Sequence, residues 1–167
     1  MSTLVVVRHA KSSWKEPLQS DCERPLNKRG QRDAPFLARC LAERLGCPDL
    51  IVSSPALRAQ TTAQAFATAS GYEPESIALD ERVYEASVPD LLEVIRQLPD
   101  TAQLVFLFGH NPGMTDLVNT VSNARLDNLP TCGLVEFRSE EPWAHFGDST
   151  SELLAFDYPK NHPELRA

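Results

Sequence analysis

Apolar positions along this chain follow two rhythms that alternate from end to end. Short continuous runs at 3–8, 49–53, 77–80, 103–108, 133–138 and 152–157 read as strands. Between them, Ala34, Leu37, Ala38, Leu41 and Leu45 recur at helical spacing, as do Leu91, Leu92, Ile95 and Leu98, and then Met114, Leu117, Val118 and Val121. Strand and helix alternating in this way is the signature of a parallel α/β sheet, and the helical stripes are its core contacts.

Local signals mark where the helices begin. Ser54-Pro55 reads as an N-cap followed by proline at the first helical position, Ser87 with Asp90 as a capping box, and Asn111-Pro112 as a second cap-then-proline pair. Pro35 conflicts with the first helical stripe, because it lacks an N–H; that helix is expected to begin just before it or to bend there. Residues 139–151, "SEEPWAHFGDSTS", have no period and read as a loop, and the tail from Tyr158 reads as irregular. No repeat, low-complexity tract or change of composition divides the chain, so residues 1–167 are expected to form one domain.

Composition narrows the function. A hydrophobic fraction of 42% and a charged fraction of 23% are ordinary for a globular protein, and no apolar run is long enough to span a membrane. Met1, Ser2 and Thr3 lead straight into a strand with no basic, apolar targeting segment, so a cytoplasmic address is expected. The net charge of −7 argues against general nucleic-acid binding, and any phosphate chemistry must use a local positive pocket. Cys22, Cys40, Cys47 and Cys132 lack zinc-site spacing and are read as small buried or half-buried hydrophobes.

The chemistry lies where the strands stop. "LVVVRHAKSSW" drives a strand into Arg8 and His9; "SSPALRAQTT" places Arg58 in the first turn after the second strand; "LVFLFGHNPG" ends a third strand on Gly109-His110. In open parallel sheets, ligands bind in the crevice at the carboxyl ends of the strands, where helix N-termini already favour anions. Two arginines and two histidines delivered there suit a phosphoryl group: guanidinium forks match its oxygens, and an imidazole serves as nucleophile near neutrality. The sequence has no Walker-type glycine loop and no evident carboxylate cluster for magnesium, so no metal or cofactor is expected.

"VVVRHA" at 5–10, "SSPALRAQTT" at 53–62 and "GHNPG" at 109–113 resemble the three signature segments of the histidine phosphatase superfamily, the phosphoglycerate-mutase-like enzymes. "DCERPLNKRGQRDA" at 21–34 and "VYEAS" at 83–87 extend the likeness over nearly the whole chain. "RHAKSSW" and "ERPLNKRG" are most similar to the small phosphohistidine phosphatases of the SixA type. The resemblance implies a three-layer α/β/α sandwich with a mostly parallel sheet. It further implies that His9 is the nucleophile and that Arg8, Arg58 and His110 bind the phosphoryl oxygens. Ala10 stands where the family's motif usually has glycine, a small residue for a small residue.

Glu85 matches the loop that holds a leaving-group acid in many relatives, Arg24 could reach the pocket rim, and Ser12 and Ser13 occupy the neighbourhood of a phosphate-touching amide. His145 and His162 are read as surface residues, and Trp14 and Trp143 as partly buried against the sheet edge. Only one helix, about 88–98, separates the third strand from the second histidine segment. The open pocket this leaves suits a phosphohistidine carried on a protein partner. A small-molecule phosphomonoesterase, or a non-catalytic module binding phosphoprotein or nucleotide, are the alternatives.

Overall fold

The computed structural model describes residues 1–166. Six strands form one sheet: β1 (Ser2–Arg8), β2 (Leu50–Ser53), β3 (Ala78–Leu79), β4 (Leu104–Gly109), β5 (Leu134–Ser139) and β6 (Glu152–Asp157). Their order across the sheet is β3-β2-β4-β1-β5-β6, with β1 to β4 parallel and β5 antiparallel to both its neighbours. Four helices cover it: α1 (Lys28–Leu45), α2 (Leu57–Ser70), α3 (Val88–Arg96) and α4 (Gly113–Val121).

The valine-rich β1 is continuous in its apolar character because both of its faces are covered. Val5 and Val7 point into a core with Leu37, Leu41 and Phe66 of α1 and α2. Leu4 and Val6 point the other way, to Leu91, Ile95, Leu117 and Val118 of α3 and α4. Two apolar layers therefore sandwich the sheet, the three-layer architecture that the resemblance implies.

The ends of the elements depart from the sequence reading in instructive ways. The first helix starts at Lys28, seven residues ahead of Pro35, because Asn27 caps it by accepting the Gly30 N–H at 2.9 Å; it runs on through the proline. Ser54 is not the cap of α2, which begins only at Leu57; the Ser54 hydroxyl instead accepts from the Ala56 N–H in the turn before it. Pro112 likewise precedes α4, and Asn111 Oδ1 accepts from the Thr115 N–H and hydroxyl. The Ser87–Asp90 capping box of α3 forms as read. The tail folds back in two short 3-10 turns, Pro159–Asn161 and Pro163–Arg166, with Leu165 packed into the α1 side of the core; Ala167 lies outside the described residues.

Five side chains lie elsewhere than expected. Trp143 is fully buried, its indole N–H donating to the Ala102 carbonyl at 2.7 Å, whereas Trp14 is 74% exposed. Cys22 and Cys47 are exposed, and only Cys132 is fully buried. His162 is half-buried between its ring contact with Phe36 and its bond to Asp157, unlike the exposed His145.

Candidate active site

Register brings the three motif segments together. Arg8 pairs with Gly109 across β1 and β4, and Ser53 with Phe108 across β4 and β2, so the chain leaves the sheet at the same edge three times in adjacent strands. The His9 N–H donates to the Gly109 carbonyl and the Ser54 N–H to the Phe108 carbonyl, which extends the ladder one residue beyond each strand and fixes the loop bases. Behind them, the Cys132 N–H is shared by the Arg8 and His9 carbonyls.

His9 is 7% exposed, and its Nδ1 lies 2.8 Å from the Ala10 carbonyl. A carbonyl can only accept, so Nδ1 carries the ring proton and Nε2 keeps its lone pair. Burial, with His110, Arg58 and Arg8 acting in the same sense, lowers the His9 pKa to about 3 against the opposing pull of the Ala10 carbonyl. The imidazole is therefore neutral at pH 7, the form a nucleophile requires. Its turn is held by Ala10, which is wholly buried and donates its N–H to Thr62 Oγ1 at 3.0 Å; that hydroxyl in turn donates to the Arg58 carbonyl. Thr62, one helical turn beyond Arg58 on α2, thus ties the second motif to the first.

His110 packs against His9 with ring centroids 5.2 Å apart, and its Nε2 is 2.7 Å from Ser54 Oγ. Ser54 Oγ already accepts from Ala56, so its hydroxyl proton is free to donate to Nε2, which leaves the proton of His110 on Nδ1. Burial first, then Arg58, lowers the His110 pKa to about 4.

The arginines are arranged around these rings. Arg8 donates to the Leu129 carbonyl at 3.0 Å, and Arg58 donates to the Asp21 carbonyl at 2.6 Å and carboxylate at 2.9 Å. Arg24 reaches the same Asp21 carboxylate at 3.1 Å and Ser12 Oγ at 2.6 Å, and lies 3.5 Å over the Trp14 ring. Tyr84 donates its hydroxyl to Asp21 and sets its ring edge-on to His110 at 5.5 Å. The Tyr84 hydroxyl, then the two guanidiniums, hold the Asp21 carboxyl well below the usual carboxylate range. Asp21 and Tyr84 escaped the sequence reading, although both lie inside quoted segments; only the fold shows that they share a partner.

Buried polar atoms without a hydrogen-bond partner are costly and call for a partner, be it ordered water, an ion or a ligand. Among the described residues there are four: Arg8 Nε, Arg58 Nε, His110 Nδ1 and Asp33 Oδ2. Three of them are donors belonging to residues packed around His9. The arrangement can receive an anion with several oxygens and present it to an uncharged imidazole nitrogen.

The remaining candidates lie at the rim. Glu85 is exposed and adopts φ +54, a left-handed conformation uncommon for a residue with a side chain. The next carbonyl, that of Ala86, packs so tightly on Gly113 that a Cβ there would lie 2.3 Å from it, so the Glu85 loop is seated on the start of α4 beside His110. Ser13 Oγ accepts from the Lys15 N–H within its own loop.

A six-stranded α/β/α sandwich with two histidines and two arginines at one sheet edge defines a phosphoryl-handling protein of the phosphoglycerate-mutase-like fold. Residues 4–104 match the model of the histidine phosphatase superfamily (branch 1), and the chain belongs to that superfamily and is a phosphatase of the SixA type. It superposes on the crystal structure of an Agrobacterium tumefaciens protein assigned as the phosphohistidine phosphatase SixA with a TM-score of 0.81 and 30% identity, covering 95% of this chain and 98% of that one. A protein histidine phosphatase SixA complexed with tungstate shares the fold at a TM-score of 0.80 and 17% identity, with 95% and 98% covered. An uncharacterised chloroplast protein of Arabidopsis thaliana is 29% identical over 165 residues, 93% of this chain and 72% of the relative. No helix among the described residues is long and apolar enough to cross a membrane.

Proposed function

We propose that this phosphatase works without a metal through a phosphohistidine intermediate on His9, and that it removes phosphate from phosphohistidine on a protein partner in the cytoplasm. The observation that carries the reading is the trio of unpartnered buried donors beside a neutral imidazole. Arg8, Arg58 and His110 Nδ1 hold the equatorial oxygens; His9 Nε2 attacks phosphorus as the bond to the leaving group breaks, and water then hydrolyses the new P–N bond. Phosphoryl transfer rests on positioning and charge stabilisation, which these groups supply.

The rim supports a protein-borne substrate. Trp14 is 74% exposed with Arg24 laid over it, and Leu18, four residues on, is fully exposed. Between β3 and β4 the chain forms a 3-10 turn, Glu81–Val83, and the nine-residue α3, whose Leu91, Val94 and Ile95 are turned into the core. Arg24 and Ser12 form the rim that a phosphorylated side chain passes, and Ser13 sits in the same loop.

Acid-labile, alkali-stable phosphate trapped during turnover should lie on His9, and His9→Ala should lose label and activity together, while chelators leave turnover intact. Label on another residue would overturn the assignment of the nucleophile. Glu85 separates the substrate classes. A sugar or seryl alkoxide needs a proton as it leaves, so removing a general acid costs roughly 10²–10⁴ in rate; an imidazole leaves far more readily. Glu85→Gln should therefore barely affect turnover of phosphohistidine and strongly depress that of an alkyl phosphate. Efficient ester turnover that collapses in Glu85→Gln, with phosphohistidine scarcely hydrolysed by either protein, would instead make this a phosphomonoesterase.

A further inference from the structure

Arg8 has two sides. One faces His9; the other lines a cavity of about 310 Å³ with Lys11, Arg29, Asn128, Pro130, Thr131, Tyr158, Pro159 and Lys160. A second cavity, of about 280 Å³, shares Arg29, Pro159 and Lys160 with the first and adds Arg32 and Leu165, so the two are lobes of one groove. Arg8, Lys11, Arg29, Arg32 and Lys160 are five of the sixteen lysines and arginines of a chain with 23 acidic residues, and no carboxylate lines either lobe. Of the acids near the groove, Asp157 is bonded to His162 at 2.8 Å, and Asp33, wholly buried, holds Arg32 at 2.9 Å and Arg29 at 3.6 Å. Asp33 offsets one of those charges and leaves Arg8, Lys11 and Lys160 without an anionic partner among the described residues.

The walls are fixed in place. Lys160 sits on the 3-10 turn Pro159–Asn161, which is pinned by the bond from His162 Nε2 to the Asp157 carboxylate at 2.8 Å. The opposite wall, residues 128–131, is held by Arg8 through the Leu129 carbonyl and by Asn111, whose Nδ2 donates to the Asn128 side chain and to the same carbonyl. Asn128 Oδ1 is used in that bond, so its own amide donors remain for a ligand. A concentration of cations at a preformed concavity, in a protein that is otherwise acidic, selects anions by field as well as by contact.

We infer that the groove running from Arg8 past Lys11 and Arg29 to Lys160 is a second anion site, which takes a carboxylate or phosphate borne by the same substrate as the transferred phosphoryl group. That second group can be an acidic side chain next to the phosphorylated residue of a protein, or a further acid group on a small phosphate compound. The chemistry recognised is the same, and the inference rests on the phosphatase reading only for the placing of the first phosphoryl at His9.

The test uses matched pairs. In the binding arm, wild-type protein is titrated with 3-carboxypropylphosphonate and with butylphosphonate, which differ in the terminal carboxylate and cannot be hydrolysed. The acidic ligand should bind about 5–10-fold more tightly, the scale of one or two partly exposed ion pairs. In Lys160→Ala, and more completely in Arg29→Ala/Lys160→Ala, that preference should disappear while butylphosphonate binds as before. In the turnover arm, a phosphohistidine peptide flanked by glutamates is compared with one flanked by glutamines. Preference for the acidic peptide identifies a protein source, and preference in the phosphonate pair alone identifies a small molecule. Equal handling of both members in both arms, or a preference that survives in the folded Lys160→Ala variant, overturns the inference. Absence of peptide turnover beside an intact phosphonate preference upholds the groove and removes only the phosphohistidine reading.

Discussion

His9 and His110 are both kept uncharged, chiefly by burial, and with guanidiniums close by an added proton would be repelled as well as desolvated. In the unliganded enzyme neither imidazole should titrate near the usual 6.5; NMR of the ring nitrogens should show both neutral at pH 5.5, with protonation only at about 3 for His9 and about 4 for His110. The sign for stability follows. Below pH 6.5 the unfolded chain binds protons that these folded histidines refuse, so stability is whole above that value and declines as the pH falls toward 4, at most by about 1.4 kcal/mol per pH unit for each ring. A midpoint near 6.5 for either ring in the free enzyme would contradict the account. Arg8, His9 and His110 were legible as candidates because each follows directly on an apolar run, and Arg58 because it opens the helix after one. Asp21, Tyr84, Ser54 and Thr62 were not, since a carboxylate or hydroxyl in a loop or helix start carries no sign of the distant group it will meet. Thr62 came nearest to being readable, standing four residues from Arg58 on one helix face.

At the level of elements, the loop that follows His9 is seated by backbone contacts beside the bond from Arg24 to Ser12 Oγ. The Asn27 N–H donates to the Lys11 carbonyl, the Ser13 N–H to the Pro25 carbonyl, and Gly30 lies so close that a Cβ would sit 2.2 Å from the Lys11 oxygen. Gly30→Ala should therefore stabilise α1 by propensity, by up to about 1 kcal/mol, yet push residues 10–13 away from the phosphoryl site. A displacement of that kind costs about 10²-fold in rate, so kcat/KM should fall steeply while the melting temperature changes little; unchanged activity would show that the loop gives way freely. The same helix explains one misread boundary. Pro35 looked like a start because proline removes a donor, but the Asn27 cap and the stripe from Ala34 to Leu41 buried against β1 and β2 outweigh one missing bond. Strand positions were readable for the opposite reason: a strand covered on both faces leaves an unbroken apolar run, and all six runs became strands with each end within one residue of where it was read.

On the scale of the whole molecule, a chain of net charge −7 lines one groove, from Arg8 to Lys160, with five cationic side chains and no carboxylate. Such a field draws anionic partners in and weakens with salt, which gives the enzyme a direction of approach as well as a site. The sheet that supports this edge has an uncommon chronology. β1, which ends beside His9, lies at the centre, yet its partners in the ladder are Leu104 to Gly109 on one flank and Leu134 to Ser139 on the other. During synthesis β1 leaves the ribosome about a hundred residues ahead of the first strand that can pair with it, an interval of several seconds at roughly 5–20 residues per second. For that time the run Leu4 to Val7 is an unpaired strand with two bare faces, the sort of segment that other chains and chaperones capture. The strand that ends beside His9 in the finished enzyme is thus, while the chain is being made, a bare apolar segment awaiting both of its neighbours.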